Sequence, residues 1–396
     1  MVTESGSDEA RTLLGNAAEA LPEGALERKL GEGRALRVKL GIDPTAPDIH
    51  LGHVVVLSKL RQFQDAGHLV VLIIGDYTAR VGDPSGLSQE RPQLDGDEIE
   101  RNAETFKRQA FSVLDPERTE VRRNGEWLDM AMEELFRLAR TSTVAQLLER
   151  DDFAKRLAER RPISILELLY PLLQGYDSVA VQADVELGGT DQKFNLLRAR
   201  EIQVAYGQAP QAVVTMPILP GIDGVRRMSK SLGNYVAVTE PPEDAFGKLM
   251  RLPDAQMPLY YELLLLRRPD PRRPAVELKR ALAREIVGRF HGEHAALEAE
   301  GRFDRIHVER EHPDEVPELD LGGEDPVHLP ALIGARFGLS RSEARRLLAQ
   351  GGVRLDGEAI DGEILDLPAA RLDGAVLQVG KRRFVRLRGG SAAPPG

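Results

Sequence analysis

The chain has 396 residues, 42% of them hydrophobic and 29% charged, enough for two or three domains with a real core. No run approaches the ~18 apolar residues of a membrane span, and the absence of cysteine excludes disulfides and thiolate metal sites and fits the cytoplasm. The net charge of −10 argues against a polyanion spread over the whole surface, yet the segment from His328 onward carries eleven Lys and Arg against seven Asp and Glu, so a local nucleic-acid footprint stays open.

Residues 1 to about 10 are rich in Ser, Gly and Glu, lack a basic-then-apolar leader pattern, and are expected to be disordered. Residues 13–30 read as two short helices broken at Pro22, and 36–40 as a strand. That strand enters Gly41-Ile42-Asp43-Pro44-Thr45-Ala46-Pro47-Asp48-Ile49-His50-Leu51-Gly52-His53. Two prolines force a turn, Asp48 reads as an N-cap, and an apolar helix continues through Leu60. Strand, tight loop and helix start present free backbone N–H groups and a positive dipole end to an anion. His50 and His53 share one face of the first turn, and Gly52 leaves space for a flat group such as adenine. Taken alone, this turn fits nucleotide contacts, a metal pair or two surface histidines; no third ligand stands at metal-like spacing.

Residues 69–75 form a continuous apolar run, the signature of a buried parallel strand, and the polar loop 76–86 follows at its carboxyl end, where open α/β sheets bind ligands. Strand, helix, strand by residue 75 predicts a Rossmann-like α/β sheet. Helices are expected over 99–113 and 130–139, a charged amphipathic stretch over 143–161, and an apolar helix near 166–173 that Pro171 should kink. Residues 179–187 alternate like a strand, Thr190 or Asp191 reads as the cap of a helix over 192–206, and 212–219 is another strand. Then comes Arg226-Arg227-Met228-Ser229-Lys230-Ser231-Leu232-Gly233-Asn234, flanked by glycines and read as a mobile loop. Its three cations and two hydroxyls suit a triphosphate, although a solvated basic loop is the commoner meaning of such a run.

Pro241-Pro242 marks a boundary, after which 246–290 reads as almost wholly helical and basic, with Arg267, Arg268, Arg272, Arg273, Lys279, Arg280, Arg284 and Arg289 on solvated faces or against an RNA backbone. Residues 309–325 are acidic and proline-rich, a linker composition. From 328 the pattern is two helices and short strands. Ser340 caps the second helix with Glu343 three residues on, and 376–387 form a hairpin with a basic tip.

His50-Leu51-Gly52-His53 together with Arg227 to Ser231 resembles the paired signatures of the class I aminoacyl-tRNA synthetases, with Arg227 standing where the second signature usually begins with Lys. Tyr170, Gln174 and Asp177 at i, i+4, i+7 share one helix face. With Thr78, Asp83 and the run Gly188 to Gln192, they make the chain resemble the tyrosyl-tRNA synthetase family over residues 15 to 388, closest to the bacterial subgroup whose first strand reads K-L-G-x-D-P-T. The tail from 328 to 388 resembles the small RNA-binding domain first described in ribosomal small-subunit protein four.

This resemblance implies a Rossmann-like catalytic domain over 1–238 with an insertion near 115–165, an α-helical domain over 239–308, a linker over 309–327, the small α+β RNA-binding domain over 328–388, and a tail over 389–396. It implies that ATP, as its Mg²⁺ complex, meets Thr45, His50, Gly52, His53, Gly189, Asp191, Arg227, Met228, Ser229 and Lys230, with no metal held by the protein. L-tyrosine would meet Asp43, Thr78, Asp83, Tyr170, Gln174, Asp177 and Gln192. Asp177 would accept the phenol, Tyr170, Gln174, Thr78 and Asp83 would hold the α-ammonium, and Gln192 would lie near the carboxylate. tRNA(Tyr) would meet Arg341, Arg345, Arg346, Lys381, Arg382 and Arg383, and a second copy of the chain would pair through the insertion. Relatives place Tyr where this chain has Lys39, which leaves the second partner of the phenol open. The rivals are a tryptophanyl enzyme, a related nucleotidyltransferase, and a synthetase-like RNA-binding protein without catalysis.

Overall fold

The computed structural model describes residues 4–85, 95–307, 316–380 and 383–389. It divides into two compact units, 1–296 and 297–396. In the first, a six-stranded sheet is built from β1 (Glu19–Leu21), β2 (Arg37–Ile42), β3 (Leu69–Ile74), β4 (Thr119–Arg123), β5 (Val185–Gly189) and β6 (Ala212–Met216), in the order β1-β6-β5-β2-β3-β4. All pairings are parallel except that of β1 with β6. The order reverses between β2 and β5, and the carboxyl ends of those neighbours open a crevice, the ligand position of doubly wound sheets.

Sequence explains which strands lie inside. Val38, Val70 to Ile73, Val185 and Val213 are buried, as expected where helices cover both faces. β4, with the sequence Thr-Glu-Val-Arg-Arg, has one apolar residue and escaped the hydrophobic pattern; it is an edge strand whose Arg122 and Arg123 pair with Glu126 and Glu100. β1, just before Pro22, falls where the two short helices of 13–30 were expected to be broken, and it is a strand. The N-terminal residues expected to be disordered include the helix Glu4–Leu13, whose Leu13 is buried.

Helix α1 (Leu51–Asp65) follows β2, and buried Leu57, Leu60 and Phe63 seat it. Asp48 is not its cap; His50 is. Helix α2 (Ile165–Ala180) opens with a Ser164–Glu167 capping box and runs unbroken past Pro171, because tertiary packing outweighs one missing N–H. Its last turn includes Val179 and Ala180, so the strand expected from 179 begins only at Val185. Helix α3 (Lys193–Ala205) follows a 3₁₀ turn, Thr190–Gln192; neither Thr190 nor Asp191 caps it. The helices Pro242–Met250, Met257–Leu264 and Ala275–His291 belong to the first unit, with breaks between them where continuous helix was expected.

In the second unit, Glu358–Ala359, Val353–Leu355, Val376–Val379, Arg383–Arg388 and Glu318–Asp320 form a five-stranded sheet in that order. Helices Leu329–Phe337 and Arg341–Ala349 pack on a core that includes Leu329, Ile333, Leu348, Leu377 and Val385. Glu318–Asp320 lies in the stretch expected to be linker; it pairs in parallel with the last strand and is part of this sheet.

One carboxylate ties the start of β2 to the turn before β5. Asp184 accepts from Arg34 Nη1 and Nη2 at 2.7 and 2.6 Å and from the Arg37 amide at 3.0 Å, with Lys29 Nζ at 3.3 Å. Burial pushes its pKa up, but these donors win and hold it down at about 2. A depressed carboxylate stabilises the fold above its unfolded pKa and loses that contribution as pH falls through the folded value. D184N should therefore lower the unfolding free energy at pH 7 by roughly 2 kcal/mol, with the difference from wild type shrinking between about pH 4 and pH 2 in urea titrations.

Candidate active site

A cavity of about 400 Å³ opens at the carboxyl ends of β2 and β5. Its lining brings together every residue of the first unit singled out for ATP or amino-acid contact, from Asp43 and Thr45 in the first loop to Lys230 in the last. Two ends of opposite character result.

The cationic end is built on the start of α1. His50 Nδ1 accepts from the Gly52 amide at 3.1 Å and His53 Nδ1 accepts from the His50 amide at 3.2 Å, a reciprocal cap in which imidazoles replace the usual hydroxyl and carboxylate. Each Nδ1 is thus an acceptor, which puts the proton of each neutral ring on Nε2 as a donor. Burial, then His53 and Lys230, push the His50 pKa down to about 2; burial and Lys230 push that of His53 to about 4. Both rings are neutral at physiological pH and act through N–H dipoles, not charge. A Cβ on Gly52 would lie 2.9 Å from the His50 ring, so glycine is required by the cap itself as well as by any flat ligand.

The cationic loop lies against this turn. Leu51 N donates to Val236 O and Val238 N to Ile49 O, each at 3.0 Å, so backbone bonds hold the two segments together. Asn234 fixes the loop from inside, accepting from Ser229 N at 2.9 Å and donating to Asp223 at 3.0 Å and to Arg227 O at 3.1 Å. Lys230 Nζ stands 3.6 Å from Asp48 Oδ2, an ion pair beyond hydrogen-bond length, and makes no hydrogen bond among the described residues. Burial lowers its pKa while Asp48 opposes the shift. Arg227 lies 3.7 Å from Asp191.

The other end is acidic. Asp43 accepts from Thr78 Oγ1 at 2.6 Å and from the Tyr170 hydroxyl at 2.9 Å. A Cβ on Gly75 would fall 2.1 Å from Asp43 Oδ1, so the carboxylate can sit here only because residue 75 is glycine. Burial, with Asp83 and Asp177 nearby, outweighs those hydrogen bonds and pushes Asp43 up to about 7. Asp177, buried on α2, is pushed up to about 6 by burial, opposed by Lys39 and by hydrogen bonds. Trp127 Nε1 donates to it at 2.8 Å and Asn124 Nδ2 at 3.4 Å. Gln192 Nε2 donates to Asp83 at 2.9 Å, and Asn195 Nδ2 donates to Gln174 at 2.9 Å. Carboxylates crowded and desolvated at one end of a cavity are a site for an ammonium group.

Sequence reasoning missed Asn124 and Trp127, which lie beyond the edge strand it overlooked. Lys39 does not line the cavity. Its ammonium is wholly buried and bonds Glu186 at 2.7 Å, Ser178 at 2.8 Å and the Gln174 carbonyl at 3.2 Å, a support under α2 and not a ligand contact. Among the described residues no group of three or more His, Asp or Glu is placed to hold a metal.

Of the basic residues after Pro242, Arg267, Arg272, Arg273 and Lys279 pair with Glu285, Asp270, Glu277 and Asp254, and Arg289 donates to the neutral Ser58 hydroxyl and Leu264 carbonyl. In the second unit Arg341, Arg345 and Arg346 are exposed on one helix and Arg383 on the last strand. Lys381 and Arg382 lie outside the described residues.

Residues 31–307 match the family described as tRNA synthetases class I (W and Y). A tyrosine–tRNA ligase of Moorella thermoacetica is 52% identical over 95% of this chain and 95% of its own. One of Thermotoga maritima is 50% identical over 97% of this chain and 98% of its own. Among solved structures, tyrosyl-tRNA synthetase from Archaeoglobus fulgidus complexed with L-tyrosine superposes with a TM-score of 0.63 at 23% identity, over 74% of this chain and 99% of that one, a likeness of fold alone. With half its residues shared over nearly its whole length, and with both signature segments closing one cavity, the chain belongs to the tyrosyl-tRNA synthetase family of class I.

Proposed function

We propose that the chain is a tyrosine–tRNA ligase. It activates L-tyrosine with ATP to tyrosyl-adenylate and pyrophosphate, then transfers the tyrosyl group to a ribose hydroxyl at the 3′ end of tRNA(Tyr), releasing AMP. The observation that carries this reading is the bipolar cavity: a buried Lys230 ammonium with no hydrogen bond among the described residues, beside two neutral imidazoles at one end, and a carboxylate cluster at the other. The first suits a triphosphate, the second an amino acid's ammonium.

In the first step the tyrosine carboxylate attacks the α-phosphorus, the bond to the β-phosphate oxygen breaks, and pyrophosphate leaves. A carboxylate is already ionised, so no general base is needed and catalysis is positioning and charge neutralisation. Thr45, His50, His53, Arg227 and Lys230 serve the triphosphate, with Gly52, Gly189, Asp191, Met228 and Ser229 around ATP. Mg²⁺ arrives on the phosphates. Tyr170, Gln174, Thr78 and Asp83 hold the α-ammonium, Gln192 lies near the carboxylate, and Asp43 neighbours both. Asp177 accepts the phenol, its carboxylate aimed by Trp127 and Asn124 in place of a second phenol-binding side chain. Such a buried acceptor selects against phenylalanine, which would leave it unpaired, a rule for which the tyrosine enzymes are themselves the standard example.

Arg341, Arg345, Arg346 and Arg383, exposed in the second unit, support tRNA backbone contact. Met132, Phe136, Val144, Leu157 and Ile165 are each more than half exposed around the 115–165 insertion, and that apolar surface supports pairing of two copies there. A cytoplasmic setting completes the proposal, with the helices from Pro242 to His291 belonging to the first unit and Glu318–Asp320 to the second. No helix among the described residues is long and apolar enough to cross a membrane.

ATP–pyrophosphate exchange measured with tyrosine, with tryptophan and with no amino acid tests the assignment; exchange that depends on tryptophan, or none at all, would refute it. K230A should slow adenylate formation by about a hundredfold or more while tyrosine affinity changes little, checked by single-turnover kinetics against equilibrium dialysis. In the free enzyme Asp43 becomes neutral as pH falls through about 7 and can no longer attract an ammonium, so kcat/KM for tyrosine should drop between pH 7.5 and 5.5, roughly tenfold per unit at the limit. D43N should lower the plateau and move that limb down towards about pH 6, where Asp177 titrates, whereas titration of His50 or His53 should not appear above about pH 5.

A further inference from the structure

Behind the acidic end of the cavity lies a second layer, Arg150, Ser85 and Asn195, that does not itself line the cavity. Its centre is Arg150, which comes from the 115–165 insertion, precedes the helix Asp151–Ala158 and is only 5% exposed. Its guanidinium lies over the Phe153 ring, 5.1 Å from the centroid, and its Nε is 2.8 Å from Asp152. The two remaining nitrogens point towards the tyrosine-binding residues. Nη2 donates to Ser85 Oγ at 2.7 Å and stands 3.8 Å from Asp83 Oδ1; Nη1 donates to Asn195 Oδ1 at 3.2 Å.

These contacts fix the direction of every hydrogen bond that follows. A guanidinium has donors and no acceptor, and it does not deprotonate. With Asn195 Oδ1 taken by Arg150, the Asn195 amide must turn its Nδ2 to the other side. There Nδ2 donates to Gln174 Oε1 at 2.9 Å and to Gln192 Oε1 at 3.1 Å. Gln192, its oxygen accepting, then turns Nε2 towards Asp83 Oδ2 at 2.9 Å and Ser85 Oγ at 3.1 Å. Ser85, accepting from Arg150, gives its own proton to Asp83 Oδ1 at 2.6 Å. Two paths leave one guanidinium and meet on one carboxylate. Along both, the order of donor and acceptor has a single solution.

We propose that Arg150 is a positioning residue for tyrosine binding: by imposing that order it orients Gln174, Gln192 and Asp83, and it links the insertion to the amino-acid end of the site. It touches no reacting atom. The inference rests on the tyrosine-ligase reading, and wild-type exchange with tyrosine settles that reading first, so failure of the two can be told apart.

The test is tyrosine-dependent ATP–pyrophosphate exchange by R150M, R150K, S85A and Q192A and by the double variant R150M/Q192A, each first compared with wild type by thermal melting. R150M should raise KM for tyrosine about tenfold or more and leave KM for ATP within about threefold. R150K keeps the charge but loses the fork, so it should recover only part of the loss. S85A, which cuts one of the two paths, should shift KM for tyrosine in the same direction by less. In the double-mutant cycle, R150M and Q192A should be strongly non-additive, because Arg150 acts through Gln192. A purely structural role would raise both KM values together, or lower the melting temperature with KM unchanged, and would give additive effects; any of these overturns the proposal. Should R150M fail to fold, S85A and R150K decide by the same split between the two substrates.

Discussion

Two short pieces of backbone hold the catalytic half of this molecule in register. Ile49 and Leu51, at the entrance to α1, exchange hydrogen bonds with Val236 and Val238, at the exit of the cationic loop. Neither segment is a strand of the main sheet. Each bond is worth about 1 kcal/mol net, but their effect is geometric. They set the loop's exit directly against the helix start, and Asn234 inside the loop then limits where Lys230 can stand. Removing the bridge would leave a helix start with anion-binding geometry and a basic loop with no fixed relation to it.

Given that register, the electrostatics follow from burial. Charging two adjacent imidazoles beneath an ammonium is costly, so His50 and His53 stay neutral and turn Nε2–H outward. The positive end of the cavity is therefore made of two cationic side chains, Lys230 and Arg227, a set of dipoles and a helix terminus. Such an arrangement stabilises charge that appears on phosphate oxygens without itself taking up protons as they arrive. At the opposite end the same burial acts on carboxylates and raises them, Asp43 most of all. One physical cause, desolvation at the mouth of a parallel sheet, produces neutral donors on one side and proton-hungry acceptors on the other.

Much of this was legible in the sequence because it rests on local rules. Apolar runs 69–75 and 212–219 can hardly be anything but interior strands, and the i, i+4, i+7 spacing on α2 puts Tyr170, Gln174 and Asp177 together whatever the rest of the chain does. What stayed hidden depends on partners distant in sequence. β4 has no hydrophobic pattern because an edge strand needs none, and Asn124 and Trp127 follow directly after it. The cap lies at His50 and not at Asp48 because the helix begins only at Leu51, where His53, three residues on, reciprocates. Glu318–Asp320 looks like linker until the strand it joins, seventy residues later, is in place.

Lys39 shows how such a hidden partnership can replace a ligand contact. A lysine in the middle of an interior strand ought to be destabilising, yet its ammonium is satisfied by Glu186 on the neighbouring strand, by Ser178 and by the Gln174 carbonyl. Replacing Lys39 alone would leave Glu186 buried and unpaired, which costs more than the intact pair contributes. The pair therefore has to be kept or exchanged as a unit. Asp177 is oriented by Trp127 and Asn124, which approach from the β4 side. Arg150 approaches Asp83, Gln174 and Gln192 through its own intermediaries. The side chains proposed to bind the amino acid thus sit on α2 and the loops above the sheet, and the residues that aim them are Trp127, Asn124 and Arg150 from the stretch between β4 and α2, with Asn195 on α3. In the proposed reading, amino-acid recognition depends on these intervening elements as much as on the sheet.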